Sequence, residues 1–92
     1  MSEEKTQTQC DIEQVCREVM RMLLEKNRKY GDAALNPVRI FSRCTPEEAI
    51  LVRMDDKLSR LRSRQSDEDE DVYLDLIGYL VLLRVSRMQK GR

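Results

Sequence analysis

The stretch "VYLDLIGYLVLLRV", Val72 to Val85, limits most strongly what this chain can become. At 100° per residue its apolar side chains, among them Leu74, Leu76, Ile77, Leu80, Val81 and Leu83, surround a helix axis instead of lining one stripe. A helix that is apolar on all sides asks for burial on all sides, and a single hairpin partner cannot supply it. The expectation is a core helix whose burial is completed by a homo-oligomer, a dimer or larger. The unbroken apolar pattern lasts about a dozen residues and has Asp75 inside it, well short of the roughly 20 that cross a bilayer, so no membrane partner is expected.

Length points the same way. Ninety-two residues make one domain, and a chain of this size buries only about 60 to 65% of its unfolded surface. Charged residues are 37% of the chain, yet 17 Lys and Arg balance 17 Asp and Glu, so no bulk field draws it to nucleic acid and any charge logic is local. Cys10, Cys16 and Cys44 form an odd set with no secretory pattern ahead of them, which leads to the expectation of a reducing, cytoplasmic setting. There is no histidine, which excludes Ser-His-Asp chemistry and leaves zinc without an adequate ligand set.

No segment alternates with period two, and the pattern is all-α throughout. Residues 1–10 are polar and read as a flexible tail, with a single helical domain over 11–92. A first helix starts near Asp11, where Asp11 and Gln14 can form a capping box, and stops at Gly31 in a left-handed cap. Asn36 and Pro37 open a short helix carrying Val38, Ile40 and Phe41. "TPEE" starts the second long helix, because Thr45 can cap, Pro46 suits the first turn and Glu48 can close the box; this helix runs to about Arg64. The acidic run "RQSDEDE" follows, and a third helix covers about Glu68 to Gln89. The fold expected is a small antiparallel bundle of three main helices plus one short helix, with neighbouring helices antiparallel, completed by oligomerisation.

Three local charge patterns suggest a site. On the second helix Ile50, Leu51, Met54, Leu58 and Leu61 share an apolar sector, and Arg53, Lys57, Arg60 and Arg64 form a basic stripe. On the third, Asp71, Asp75 and Tyr79 stack one turn apart. A carboxylate in apolar surroundings costs several kcal/mol unless paired or metal-bound, so Asp75 should meet Arg53 or Lys57, or join Asp71 and either Glu48 or Asp56 around Mg²⁺. At the end of the first helix Lys26, Arg28 and Lys29 flank Tyr30, Gly31 and Asp32. A base could stack on Tyr30 while phosphate meets Lys26, Lys29, Arg53 or Lys57, and Gly31 lets backbone approach closely.

The ordered set "LLEKNRKYGDAALNPVRIFS", "EEAILVRMDDKLSRL" and "DEDVYLDLIGYLVLL" resembles a phage and prophage family, nucleotide modification associated domain 1, over about Val19 to Val85. The likeness lies in the Tyr30-Gly31-Asp32-Ala33 turn, in Arg53, Asp56, Lys57 and Arg60, and in Asp71, Asp75, Gly78 and Tyr79 taken together. It implies an all-helical protein of nucleotide metabolism, similar in layout to the MazG-like nucleoside triphosphate pyrophosphohydrolases, which hold Mg²⁺ on acidic pairs. Against that second pattern Glu48 and Asp75 match, Leu51 and Val72 stand where acids belong, and Asp71 is one residue off. Three readings stay open: a Mg²⁺-dependent nucleotide pyrophosphohydrolase, a non-catalytic oligomer that sequesters a nucleotide or cyclic nucleotide signal in phage anti-defence, and a purely structural helical adaptor.

Overall fold

A computed structural model describes residues 4–36, 43–63 and 71–92, and these contain three helices: α1 (Gln7–Tyr30), α2 (Pro46–Ser63) and α3 (Val72–Lys90). The expected short helix at 36–41 and the acidic run at 64–70 lie outside the described residues, apart from Asn36, which ends a turn. No strand occurs among the described residues.

Local capping chemistry sets the helix starts. α1 begins four residues before the expected Asp11, because Thr6 and Gln9 form the capping box: the Gln9 N–H donates to Thr6 Oγ1 at 3.1 Å and the Thr6 N–H to Gln9 Oε1 at 2.9 Å. Residues 7–10 of the expected tail are therefore helical. α2 starts as its sequence indicates, with the Glu48 N–H donating to Thr45 Oγ1 at 3.1 Å and Pro46 in the first turn. α3 starts at Val72, later than Glu68, because the Asp71 carboxylate accepts the Leu74 N–H at 2.9 Å and acts as N-cap.

α3 is the middle helix. Glu47 at the start of α2 pairs with Lys90 at the end of α3 at 3.3 Å, while Lys57 pairs with Asp75 near the start of α3 at 3.0 Å, so α2 and α3 run antiparallel. Lys26 lies 3.8 Å from Asp75, and Met22 and Leu23 crowd Gly78, so α1 also runs antiparallel to α3. Among the described residues α1 and α2 do not pack on each other. The expectation that neighbouring helices are antiparallel holds for α2 and α3 but not for α1 and α2. Both of these run against α3, because its all-round apolar surface offers each outer helix more to cover than either offers the other.

Burial is uneven. Ile50 on α2 is 1% exposed and Val72 on α3 is also buried, whereas Val19 is the buried apolar residue of α1. On α2 the half-buried face is Met54, Lys57 and Leu61 in register with Ile50, while Leu51 and Leu58 are exposed. This corrects the expected sectors: Lys57 sits on the core-facing stripe because Asp75 of α3 meets it there. The molecule extends 57 × 40 × 21 Å with a radius of gyration of 16.0 Å, against about 12 Å for a compact chain of this length.

Candidate functional site

The end of α1 is built by a stop and a brace. Gly31 has φ 65° and ψ −154°, a conformation essentially confined to glycine, and it ends the helix without the expected αL geometry. Asp32 then fixes the turn: its carboxylate accepts from Asn27 Nδ2 at 3.1 Å and from Asn36 Nδ2, and its carbonyl accepts the Leu35 and Asn36 N–H groups. Asp32 thus fixes the turn, and it is not among the residues lining the cleft beside Asp75.

That turn, α3 and one side chain of α2 enclose a cleft of about 310 Å³. Lys26, Asn27, Tyr30, Gly31 and Ala34 line it from the α1 side, Arg53 reaches it from α2, and Asp75, Gly78 and Tyr79 come from α3 over a floor of Met22, Leu23 and Leu82. Of the residues expected at a site, Lys26, Tyr30, Gly31, Arg53 and Asp75 meet here. Lys57 is held at the cleft edge through Asp75, which it contacts at 3.0 Å with both side chains about four-fifths buried (16% and 20% exposed). Lys29 is not in the lining; its Nζ sits over the Tyr30 ring, 5.3 Å from the centroid.

The acidic set does not come together. Asp71 is committed to capping α3, Glu48 is exposed in the first turn of α2, and Asp75 is held by Lys57 and Lys26. Among the described residues no three Cys, Asp or Glu side chains gather where they could hold a metal ion. Of the donors expected for Mg²⁺, Asp71 and Asp75 are thus engaged elsewhere among the described residues. The Asp75 to Lys57 ion pair, open from the sequence, is the arrangement observed.

Chemically the cleft is an amphipathic slot. Lys26 and Arg53 supply positive charge, and Arg53 makes no ion pair among the described residues. Two phenol rings and an apolar floor face the single carboxylate, which already has cationic partners. Gly78 is what lets α1 come close enough to close the slot, since a Cβ there would stand 2.9 Å from Met22 Cε and 3.2 Å from Leu23 Cδ2. Asn27 and Ala34 carry no sequence signal as lining residues, whereas Tyr79, stacked with Asp75 by spacing, lines the cleft beside Gly78.

No family model matches the chain, and no curated protein or solved structure is similar to it. The resemblance described above rests on its own quoted residues. Among the described residues no helix is long and apolar enough to cross a membrane.

Proposed function

We propose that this chain is a phage-type nucleotide-binding protein, cytoplasmic in a bacterial host and homo-oligomeric, which holds a nucleotide or cyclic nucleotide in the α1–α3 cleft. The observation that carries the reading is the meeting of Lys26, Tyr30, Arg53 and Tyr79, from three helices, around one slot. A base has aromatic and apolar surfaces to lie against, and a phosphate has Arg53 and Lys26 within the same lining. The slot is at the small end of ligand sites, which run from about 300 to 1,000 Å³, and suits one nucleotide better than two.

Binding without turnover is favoured over hydrolysis. A pyrophosphohydrolase of the expected type needs several carboxylates on one metal, and here Asp71 and Asp75 have other partners. Sequestering a nucleotide signal needs only the slot.

The test is a thermal-shift panel of mononucleotides, cyclic mononucleotides and inorganic phosphate, each with and without Mg²⁺, followed by titration of the best ligand. A ligand at 100 times its Kd should add about 2.7 kcal/mol to the folded state. Tyr30→Ala and Arg53→Ala should each weaken it by about tenfold, roughly 1.4 kcal/mol, and Arg53→Ala should also flatten the salt dependence. Arg62→Ala, exposed on α2 outside the cleft, should change nothing. Equal affinities for all four proteins would remove the cleft from the account, and Mg²⁺-dependent product release would restore the enzyme.

A further inference from the structure

A second, larger groove of about 680 Å³ runs along the other side of the α1–α3 pair. Val15, Val19 and Leu24 of α1 face Ile77, Val81 and Val85 of α3 across it. Its walls are apolar and largely open to water: Leu24 is 63% exposed, and Val15, Ile77 and Val81 are exposed as well. None of the described residues covers it. We propose that the groove is closed by a second copy of this chain, related by a two-fold axis, with the two α1 helices antiparallel.

Three observations select a second copy as the occupant. The first is area. The chain exposes 8055 Å², whereas a compact monomer of its mass exposes about 5,600 Å². The excess, about 2,500 Å² per chain over all 92 residues, leaves room for the about 2,000 to 5,000 Å² in total that a permanent dimer buries. The second is shape. Exposed Met20 and Leu24 stand on the same α1 face that forms one groove wall, so the surface carries both a ridge and a furrow, as an isologous contact requires.

The third observation is charge. Within α1, residues 7–18 carry Asp11, Glu13 and Glu18 against Arg17, a formal balance of −2. Leaving out Lys26, which faces the cleft on the opposite flank, residues 19–30 carry Arg21, Arg28 and Lys29 against Glu25, a balance of +2. An antiparallel two-fold lays the acidic half of each α1 along the basic half of its mate and opposes the helix dipoles. A parallel pairing would set like against like. The chain as a whole is neutral, so two copies meet without a net repulsion to overcome.

Sedimentation equilibrium at micromolar concentration should give twice the chain mass of 10.9 kDa. Leu24→Arg should raise the dissociation constant by at least about 100-fold, because the two-fold buries the new charge twice. Leu24 is exposed in the single chain, so helicity by circular dichroism should survive the change. Tyr73→Arg, at a residue 69% exposed on α3 and outside the groove, should leave the dimer intact. The wild-type dissociation constant should also rise with salt, as opposed α1 halves require. A mass of one chain, or a dimer that Leu24→Arg does not weaken, overturns the proposal. A dimer that tightens as salt rises overturns the antiparallel arrangement.

Discussion

The α2–α3 pair and the α1–α3 pair use the same central helix in different ways. Between α2 and α3 the buried apolar side chains are matched, with Ile50 and Val72 enclosed and ion pairs tying both ends at Glu47–Lys90 and Lys57–Asp75. Between α1 and α3 the backbones come close at Gly78, yet the apolar side chains flanking that contact stay open. One side of α3 is finished within the chain. The other is shaped for something outside it, on one flank a small slot with charge and on the opposite flank an apolar groove.

The largest expected effect tests that asymmetry directly. Ile50→Ala removes a side chain that is 1% exposed and should cost about 2 to 5 kcal/mol in denaturant unfolding, whatever the protein concentration. Leu24→Ala should cost less than about 0.5 kcal/mol when measured dilute, as for other surface positions. Its cost should grow with concentration if a second copy covers the groove. Comparable and concentration-independent losses for both variants would mean that the two sides of α3 are equally complete, and the contrast would be lost.

Next come the two glycines, one at each kind of constraint. At Gly31 a Cβ would meet nothing within 4 Å, so Gly31→Ala isolates backbone strain at positive φ and should cost about 1 to 3 kcal/mol. At Gly78 the obstacle is the flexible end of Met22 with Leu23 behind it, and alanine is the better helix former by about 0.5 to 1 kcal/mol. Gly78→Ala should therefore cost less than Gly31→Ala overall while loosening α1 from α3. Hydrogen exchange should show faster amides around Met22 and Leu23 and unchanged ones in α2. Protection lost equally in α1 and α2 would contradict the independent packing of the two outer helices.

What the sequence showed and what it hid follow the range of the forces involved. Thr45, Pro46 and Glu48 marked a helix start, and Gly31 a stop, because those signals act within a single turn. The capping box of Thr6 and Gln9 is equally local, but no apolar residue follows until Cys10 and Ile12, so the periodic pattern drew attention to Asp11 instead. Asp71 and Asp75 share a helix face by spacing, and spacing cannot say that one caps the helix and the other meets Lys57 across an interface. The convergence of Lys26, Tyr30, Arg53 and Asp75 was anticipated from residue types at a turn and two helix faces. Its floor residue Leu82 depended on which helix lies in the middle, and that is decided by how much apolar surface each helix leaves uncovered.

The smallest effect concerns pH on the open side. Glu13 is held below its ordinary value of 4.5, first by its hydrogen bond and charge contact with Lys5 and to a lesser degree by Arg17 at 3.5 Å. Glu25 is lowered by its hydrogen bonds to Arg28. Both carboxylates belong to α1, and both pairs stand in water, where such contacts contribute little and are screened by salt. A depressed folded pKa means the unfolded chain takes up protons first, so this support is complete above about pH 4.5 and disappears as pH falls through the lower folded values. Acid titration followed by carboxyl NMR should show Glu13 and Glu25 midpoints below 4.5, with Lys5→Met returning Glu13 toward it. The Lys57–Asp75 pair is mostly shielded from solvent, so salt should weaken the α1 pairs more than the contact between α2 and α3. If high salt loosened α2 from α3 as readily as it moved the Glu13 midpoint, the ion pair at the cleft edge would be no better sheltered than those along α1.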